Sequence, residues 1–533
     1  MEKKKKLIVL GVILLIIVIS GITYAILTWQ SGNINIGINT NCFTIDYTKG
    51  NNISGSLKLI NEEDLISNGK FTIKEGVGVS SVNIGIKSTC SIEGYGNILL
   101  NITNISSTFT TGDSKGALKY AVLKNTSTIT DPTQISTTSL LNQSFDIEKK
   151  GSIDTSGTLK LLTKQLSNTE LYKYIIVIYV DNNLAGNDVT SATFQGNISA
   201  DATQGKAPYE GLAKLIANDT FTPNKTVPNN SIDYKYDTTH SLMEDIDGNI
   251  RYYGASPDNY IYFNCDDYSN QTSSTCETWR IIGVFEGKVK IMRGSQIGTY
   301  AWDNKNTSTG AERNYGKNDW STARLMKLLN PSDYYEVDSN DNGNGQSLYW
   351  NSQSGTCFAG ENNATKACDF TSTGLKNDDT RNMVSESMWY LRGYNRNSVY
   401  SDQIYEYERT KGSVYNSTRP TSWTGKIALA YLSDYGYAAD FGQCTKQLVS
   451  YSDSTCTSNN WMKAILGTSS YGWLLTPLSG YSYSAWFVYS SGYVYDSNNT
   501  YYANGTVPVL YLGSELEIKA GDGKSDSPYQ LSA

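Results

Sequence analysis

Few residues in the sequence could carry out catalysis, and the chain has a single histidine, His240. Histidine is the usual general base and the commonest metal ligand, so its scarcity removes most routes to Ser-His catalysis and to His-ligated metals. We interpret His240 as a structural residue. The acidic pair Asp266 and Asp267 has no nearby histidine or third carboxylate, which favours a solvated turn over a metal site. We predict no catalytic residues and expect a protein that is not an enzyme.

One segment has the spacing of a calcium loop. Asp338, Asn340 and Asn342 precede Gly343, as in the first half of a loop in which alternate oxygen ligands surround Ca²⁺ and a glycine makes the sharp turn. The twelfth position holds Tyr349, where such loops have a bidentate glutamate. We predict a polar surface loop and no cofactor, with Ca²⁺ bound by the three oxygen ligands as the alternative.

The eight cysteines fall into pairs along the chain, and the last three pairs have members eleven or twelve positions apart. None forms a C-x-x-C motif, which together with the single histidine argues against zinc. Local disulfides that close hairpin-like loops fit this spacing and indicate an oxidising compartment, although the connectivity stays open. The predicted disulfide cysteines are Cys42, Cys90, Cys265, Cys276, Cys357, Cys368, Cys444 and Cys456.

Residues 473–512 hold an unusual density of Tyr, Ser, Asn and Gly, and we read them as three strands with turns between them. Tyrosine offers a large, rigid contact surface at low entropy cost, and small polar residues add adaptable hydrogen bonds. The alternative is an ordinary tyrosine-rich sheet, since tyrosine also favours strands. The candidate ligand-binding residues are Tyr481, Tyr483, Trp486, Tyr489, Tyr493, Tyr495, Asn498, Asn499, Tyr501 and Tyr502.

Length and composition limit the remaining possibilities. A chain of 533 residues is long for one domain, so two or three domains are expected. The net charge is −7, and no basic patch follows the first few residues, which argues against nucleic-acid binding. The 40 tyrosines and an aromatic content of 12% favour a mainly β protein with some α-helix.

The N-terminal 30 residues have the pattern of an export signal. Lys3–Lys6 precede the apolar run Leu7–Leu27, which is long enough to span a bilayer as a helix with the N-terminus inside. A signal anchor predicts a membrane-attached extracytoplasmic protein. Thr23 and Ala25 are small residues at signal-peptidase positions, so cleavage near Ala25 and secretion is the alternative.

Residues 33–204 contain short segments of alternating hydrophobicity separated by Gly, Asn, Asp and Ser clusters. Evenly spaced segments of this kind predict an antiparallel β-sandwich. The export signal, the strand Tyr174–Val180 followed by Asp181, and the closing strand Gln195–Gln204 resemble the camelysin and TasA-type family. This resemblance implies a sandwich associated with secreted fibres and matrix. The protease activity attributed to some members is not carried over, because this segment has neither a histidine nor a metal-binding cluster.

Residues 205–234 are expected to be a linker with a short helix, followed by an α+β domain over residues 235–533. In that domain the segment Trp279–Arg293 predicts a hairpin with a tight turn. Asp319–Leu329 predicts a capped amphipathic helix, and Asn382–Tyr394 predicts a second helix.

The second domain resembles an uncharacterised domain of Firmicutes surface proteins that is related to the C-type-lectin and formylglycine-generating-enzyme fold. The residues that carry the resemblance are Tyr260–Asn264, Trp279–Gly283, Trp320, Ser321, Leu325, Leu329, Asn330, Gly472–Pro477 and Val507–Leu512. In that family the region between the last two elements forms an exposed binding face, and in some relatives retroelements diversify it toward Tyr, Ser, Asn and Asp. Residues 480–504 have this composition. The enzymatic relatives use a cysteine pair near the C-terminus, and no cysteine follows Cys456, so that activity is not expected.

Together these patterns predict an exported cell-surface protein whose second domain binds an extracellular protein or glycan through its Tyr/Ser/Asn-rich face. The alternative is a structural protein of the surface or matrix that assembles through its β-sandwich without a discrete ligand.

Overall fold

The computed structural model describes residues 28–30, 43–51, 57–67, 69–88, 94–167, 170–204, 211–304, 315–332, 347–358, 366–469, 471–514 and 516–532. The chain divides into two compact units, residues 1–208 (unit 1) and 209–533 (unit 2). Both are built mainly of antiparallel strands with short helices, which confirms the predicted fold class.

Unit 1 contains twelve described strands and short helical turns. The strands are β1 (Thr28–Gln30), β2 (Phe43–Lys49), β3 (Leu59–Ile60), β4 (Ile66–Ser67), β5 (Lys70–Thr72), β6 (Gly78–Ser88), β7 (Gly94–Ile105), β8 (Leu118–Lys124), β9 (Ser144–Ser152), β10 (Gly157–Leu166), β11 (Leu171–Asp181) and β12 (Phe194–Gln204). The helices are α1 (Glu62–Leu65), α2 (Ser107–Thr110) and the 3-10 turns Pro132–Gln134, Asn182–Leu184 and Asn187–Ser191.

These strands form two sheets that share one core. One sheet has the order β1-β12-β7-β10, and the other has the order β2-β6-β11-β8-β9-β5-β4, with β3 beside β11. Buried side chains of β7 and β12 pack in the same cluster as those of β6, β8 and β11. The unit is therefore a two-layer β-sandwich.

Strand β11 explains why its sequence is apolar without interruption. Tyr174, Ile176 and Ile178 face the core between the two sheets. Ile175 and Val177 face a second cluster on the other side of the larger sheet. Because side chains alternate between the faces of a strand, a strand covered on both sides must be apolar at every position.

A charged cluster closes one end of this second cluster. The Glu62 carboxylate accepts hydrogen bonds from Lys119 Nζ (2.7 Å), Lys150 Nζ (2.6 Å) and the Tyr179 hydroxyl (2.8 Å). Burial opposes ionisation of Glu62, but the two lysines outweigh it and lower its pKa to about 2.

Unit 2 contains the remaining elements. Its strands are β13 (Lys225–Asn229), β14 (Ile232–Asp237), β15 (Leu242–Glu244), β16 (Ile250–Tyr252), β17 (Tyr260–Phe263), β18 (Glu277–Phe285), β19 (Lys288–Arg293), β20 (Thr299–Ala301), β21 (Ser354–Cys357), β22 (Lys366–Asp369), β23 (Val384–Ser385), β24 (Ser387–Tyr390), β25 (Ser422–Gly425), β26 (Ile427–Ala428), β27 (Tyr471–Pro477), β28 (Ser484–Tyr489), β29 (Val494–Asn499), β30 (Ala503–Gly505), β31 (Val509–Leu512), β32 (Ile518–Ala520) and β33 (Gln530–Leu531). Its α-helices are α3 (Gly211–Lys214), α4 (Arg324–Leu329), α5 (Asp378–Met383), α6 (Ser401–Glu406), α7 (Leu432–Tyr437), α8 (Ser454–Thr457) and α9 (Lys463–Leu466). Its other helical turns are Leu215–Thr220 and Tyr407–Lys411 (π) and Trp320–Thr322 and Leu448–Ser450 (3-10).

Two sheets dominate unit 2. The larger has the order β13-β14-β15-β16-β18-β19-β31-β23, with β17 on β18 and β26 on β31. The smaller has the order β20-β30-β27-β28-β29. Residues 211–234, predicted as a linker and short helix, are part of this unit. Leu212 and Ile216 are buried in its main core, and β13 pairs with β14 at the edge of the larger sheet.

The local features of unit 2 agree with the sequence. Strands β18 and β19 form the predicted hairpin, and its turn residues Glu286 and Gly287 have φ values of 50° and 80°. Two left-handed residues match the twist of a two-residue hairpin loop. The three local cysteine pairings are confirmed, and Cys42 and Cys90 lie outside the described residues. The disulfides are Cys265–Cys276, Cys357–Cys368 and Cys444–Cys456.

The helix predictions were less successful. The predicted helix Asp319–Leu329 is interrupted: the Asp319 side chain caps only the 3-10 turn Trp320–Thr322. Helix α4 begins separately at Arg324, whose backbone N–H donates to Asp303 Oδ1 (3.2 Å). The predicted helix Asn382–Tyr394 was wrong. There α5 ends at Met383, and the chain enters β23 and β24, because pairing with β31 and β25 overrides the local helical spacing.

The predicted membrane segment Leu7–Leu27 lies outside the described residues. No helix within the ranges described above has the length and apolar character needed to cross a membrane.

A buried ion network connects the larger sheet of unit 2 to α7. Asp434 contacts Arg251 Nη1 (2.9 Å) and Lys290 Nζ (2.5 Å), and Arg251 Nε also contacts Asp245 (2.6 Å). Burial lowers the pKa of Lys290 to about 8. Burial would raise the pKa of Asp434, but Lys290 and Arg251 outweigh it and hold that pKa below its ordinary value.

We expect acid to weaken unit 1 through Glu62. Its folded pKa of about 2 lies below its ordinary value of 4.5, so its contribution is complete above about pH 4.5 and is lost as the pH falls toward 2. At about 1.4 kcal/mol per pKa unit this amounts to about 3 kcal/mol, which Glu62→Gln should abolish. Denaturant unfolding followed by far-UV circular dichroism between pH 2 and 7 measures the difference.

Glu75→Gln is the matched control, because the Glu75 ion pair with Lys58 is exposed and should contribute almost nothing. Of the ten tryptophans only Trp29 precedes unit 2, so tryptophan fluorescence separates the unfolding of unit 2 from that of unit 1. Equal acid sensitivity of wild type and Glu62→Gln would contradict this account of the cluster.

We expect Asp434→Asn to destabilise unit 2 by about 3–5 kcal/mol, because it leaves two buried cations without their shared carboxylate. The shift of the fluorescence-detected denaturant midpoint measures this change. Asp522→Asn, which removes the exposed partner of Lys524, should leave the midpoint unchanged. Similar midpoints for the two variants would show that the network does not stabilise the fold.

Candidate functional site

The tyrosine-rich region forms most of the smaller sheet of unit 2. The sequence predicts three strands in residues 473–512. The structure has more: most of β27 and all of β28, β29, β30 and β31, with the short strand β30 between β29 and β31. Strand β28 pairs with β27 on one side and β29 on the other. Apart from Trp486, the aromatic candidates divide between one face of this sheet and the loops beside it.

The first group lies on the sheet face and is called the sheet aromatics. Its members are Tyr471, Phe487, Tyr489, Tyr493 and Tyr495. Tyr471 is opposite Tyr489 and Phe487 is opposite Tyr495, so their rings meet across the strands. The ring centroids are 4.8 Å apart in the first pair and 5.9 Å apart in the second. Phe487 is buried, whereas Tyr495 is 37% exposed, so the group has an apolar base and an accessible rim.

Trp486 does not belong to this surface. It alternates with Phe487 on β28, so it points to the opposite face, where it is fully buried and its Nε1 donates to the carbonyl of Tyr394 (3.1 Å). The prediction of Trp486 as a ligand-contacting residue is therefore corrected to a core position.

The second group, called the loop tyrosines, combines residues of the segments before β28 and after β29 with Tyr315, which belongs to a separate segment of the chain. Its members are Tyr315, Tyr481, Tyr483, Tyr501 and Tyr502. The ring of Tyr315 lies 5.0 Å from Tyr483 and stacks on Tyr501 at 6.2 Å. Tyr481 lies 6.1 Å from Tyr483, and Tyr501 lies 4.4 Å from Tyr502. Tyr481 and Tyr502 are 52% and 44% exposed, so the outer rings of this cluster are available for contact.

Two polar side chains hold the loop that carries Tyr481 and Tyr483. The buried Asn318 Nδ2 lies within hydrogen-bond distance of the carbonyls of Leu478 (2.9 Å), Tyr481 (2.9 Å) and Ser484 (2.6 Å). Arg419 donates to Asn318 Oδ1 and to the carbonyl of Ser482. These hydrogen bonds fix the loop backbone on its buried side, and the tyrosine rings lie on its exposed side.

Both asparagines of the predicted set lie at the end of β29. Asn499 is opposite Ser484 at the boundary between sheet and loop, and it is half-buried. Asn498 is opposite Ala485, and its side chain lies outside the described part of the structure. Asn499 is therefore placed next to the loop tyrosines.

Two tyrosine hydroxyls of this surface, those of Tyr489 and Tyr502, have a raised pKa. The hydrogen bond between Tyr501 and Tyr502 raises the pKa of Tyr502, because it favours the protonated phenol. Partial burial, followed by the hydrogen bond with Tyr471, raises the pKa of Tyr489. A protonated phenol both donates and accepts hydrogen bonds, so these two hydroxyls offer polar contacts without charge.

The other polar candidates lie elsewhere. His240 Nδ1 contacts Asp237 Oδ2 (2.7 Å) in a turn, and Asp266 pairs with Lys376 (3.0 Å). The calcium-loop residues Asp338, Asn340 and Asn342 lie outside the described residues. In the part of the chain that the structure describes, no group of three or more His, Cys, Asp or Glu could hold a metal ion.

Sequence reasoning missed Tyr315, Tyr471 and the support from Asn318. Tyr471 could have been predicted from the sequence. It lies two positions before Trp473, so both side chains are on one face of the strand, the face that also carries Phe487. Tyr315 and Asn318 belong to a segment far from β28 in the sequence, and no local pattern connects them to it.

No protein-family model, curated protein or solved structure matches this chain. The family resemblances drawn from the sequence therefore stay predictions.

We expect Asn318→Ala to loosen the loop of Tyr481 and Tyr483. Three carbonyls would lose their shared donor, at a cost of about 1–3 kcal/mol. Hydrogen exchange should accelerate over residues 478–484 and stay unchanged over β24. Asn459→Ala, which removes an exposed hydrogen bond from Asn459 Nδ2 to the carbonyl of Thr455, is the control. Unchanged exchange over residues 478–484 would show that Asn318 does not organise the loop.

Proposed function

We propose that this chain is an exported cell-surface protein that binds an extracellular protein or glycan through the sheet aromatics and loop tyrosines of unit 2. The observation that carries the proposal is the combination of outward-facing tyrosine rings and a loop backbone that is fixed by buried polar side chains. Tyr481, Tyr495 and Tyr502 are exposed large hydrophobic side chains of the described residues.

Fixed loops favour binding for an entropic reason. Association orders the side chains and loops of an interface, and a surface that is already ordered avoids much of this cost. Tyrosine has only two side-chain torsions and combines a large ring with a hydrogen-bonding hydroxyl, which is why binding loops use it. Asn318 and Arg419 provide the order, and Tyr481 and Tyr483 provide the contact area.

The cellular location is inferred from the sequence and from the disulfides. Lys3–Lys6 and Leu7–Leu27 have the pattern of an export signal or membrane anchor. The disulfides of unit 2 are typical of an oxidising, extracytoplasmic environment. In this proposal unit 2 is a C-type-lectin-like binding domain, and unit 1 is a camelysin-like sandwich.

The second candidate is a structural protein that assembles through unit 1. Within the described residues, β10 pairs with β7 alone, so its other edge is open to another strand. Strand β10 carries Lys160 and Lys164, and the second pairs with Glu148 (3.0 Å). Lysines on an edge strand discourage pairing with another chain, so this observation favours the ligand-binding function.

We expect the full chain to bind a defined component of a glycan array or of extracellular protein extracts. The double variant Tyr481→Ala/Tyr502→Ala should weaken that binding at least about tenfold, because exposed aromatic anchors dominate interface energies. Tyr489→Ala/Tyr495→Ala tests the sheet aromatics in the same assay, and surface plasmon resonance on the identified ligand gives the affinities.

Met388→Ala is the control, because Met388 is 49% exposed on β24 and belongs to neither aromatic group. Binding that is unaffected in both tyrosine variants, with unchanged circular dichroism, would exclude the tyrosine surface. Absence of any ligand together with fibre formation that depends on the β10 edge would favour the structural alternative.

A further inference from the structure

An open groove of about 470 Å³ lies beside strands β18 and β19 of the larger sheet, and its lining includes none of the sheet aromatics or loop tyrosines. Strands β17, β18 and β19 and helix α9 supply its walls. Tyr260, Glu277, Thr278, Arg280, Arg293 and Ser295 are among its lining residues. A groove of this size falls in the range of small-molecule sites.

Arg280 is the unusual residue of the groove. Its side chain is only 8% exposed, and its guanidinium carbon lies 3.7 Å from the ring centre of Tyr260 and 5.0 Å from that of Trp461. Nε donates to Asn259 Oδ1 (2.5 Å), and Nη2 donates to the carbonyl of Pro257 (3.3 Å). The guanidinium is thus clamped between rings and held by two neutral oxygens.

Arg280 lacks a carboxylate partner. Among the described residues, none lies within ion-pair distance of it, and its Nη1 has no hydrogen-bond acceptor. Burial lowers the pKa of Arg280 to about 10, and Tyr260 and Asp258 offset this only in part. A buried cation is normally paired, because its desolvation is costly. Nη1 is therefore an unused donor on a residue that lines the groove.

The other charges of the groove cancel each other. Glu277 forms a two-point ion pair with Arg293, with contacts of 2.9 and 3.0 Å. Arg293 Nη1 also donates to Ser295 Oγ (2.7 Å). Thr278 lies two residues before Arg280 on β18, so both side chains point to the same side of the strand, and Thr278 is exposed.

We propose that this groove binds a carboxylated sugar, with the carboxylate on Arg280 and the sugar hydroxyls near Thr278 and Ser295. One unpaired guanidinium matches one carboxylate, and the hydroxyls beside it suit a polyhydroxylated ligand. The site is separate from the tyrosine surface, so either proposal can fail without the other.

Glucuronate is the probe, glucose is its neutral counterpart, and acetate is a carboxylate without hydroxyls. Titrations of the full chain, followed by ligand-detected saturation-transfer NMR, should give saturable glucuronate binding with a Kd of about 1 mM, the strength that a ligand of this size reaches. Glucose and acetate should bind at least about tenfold more weakly.

The variant pair Thr278→Glu and Thr278→Gln tests the position of the carboxylate at an exposed residue. Thr278→Glu places a competing carboxylate beside Arg280 and should weaken glucuronate binding at least about tenfold, whereas the isosteric Thr278→Gln should weaken it far less. Arg280→Gln should abolish binding if the variant keeps its circular dichroism. No saturable glucuronate binding, equal binding of acetate, or equal loss in both Thr278 variants would each overturn the proposal.

Discussion

The buried ion network around Asp434 is the constraint on which unit 2 depends. Arg251 lies on β16, Lys290 on β19 and Asp434 on α7, so one carboxylate fixes a helix against two strands of the larger sheet. Buried charges tolerate little displacement, because a broken contact leaves an unsolvated ion. The network therefore specifies how these elements dock, and apolar packing alone would leave their register less defined.

The constraint extends to the tyrosine-rich sheet. Glu408, which is fully buried, accepts hydrogen bonds from the backbone N–H of Ser433 (3.1 Å) and from Thr476 Oγ1 (2.7 Å). Ser433 precedes Asp434 on α7, and Thr476 lies on β27 of the smaller sheet. At the other end of β28, the Tyr435 hydroxyl donates to the carbonyl of Gly492 in the β28–β29 turn (2.9 Å). The strands that carry the exposed tyrosines are thus fixed to the charged core.

Predictions from the sequence succeeded where the determining contacts are local. The β18–β19 hairpin and the disulfide pairings follow from a turn and from short spacings. The ion pair between Arg251 and Asp434 spans 183 positions, so no window of sequence contains it. The prediction of Trp486 as a ligand-contacting residue was wrong for a different reason. Alternation along a strand shows that Trp486 and Phe487 point to opposite faces of the sheet, but it does not show which face is buried. The same limit hid Tyr315, whose contact with Tyr483 exists only in the folded chain.

The buried cations of unit 2 discussed above differ in whether a carboxylate of this chain contacts them. Arg251, Lys290 and Arg293 each contact a carboxylate of this chain, so their charge is used within the fold. Arg280 is almost as buried but is held only by neutral oxygens and aromatic rings. Among the described residues no carboxylate lies within ion-pair distance to offset its desolvation cost. A bound anionic ligand would offset this desolvation cost. Ionisable groups with a shifted pKa in a cleft commonly mark functional sites.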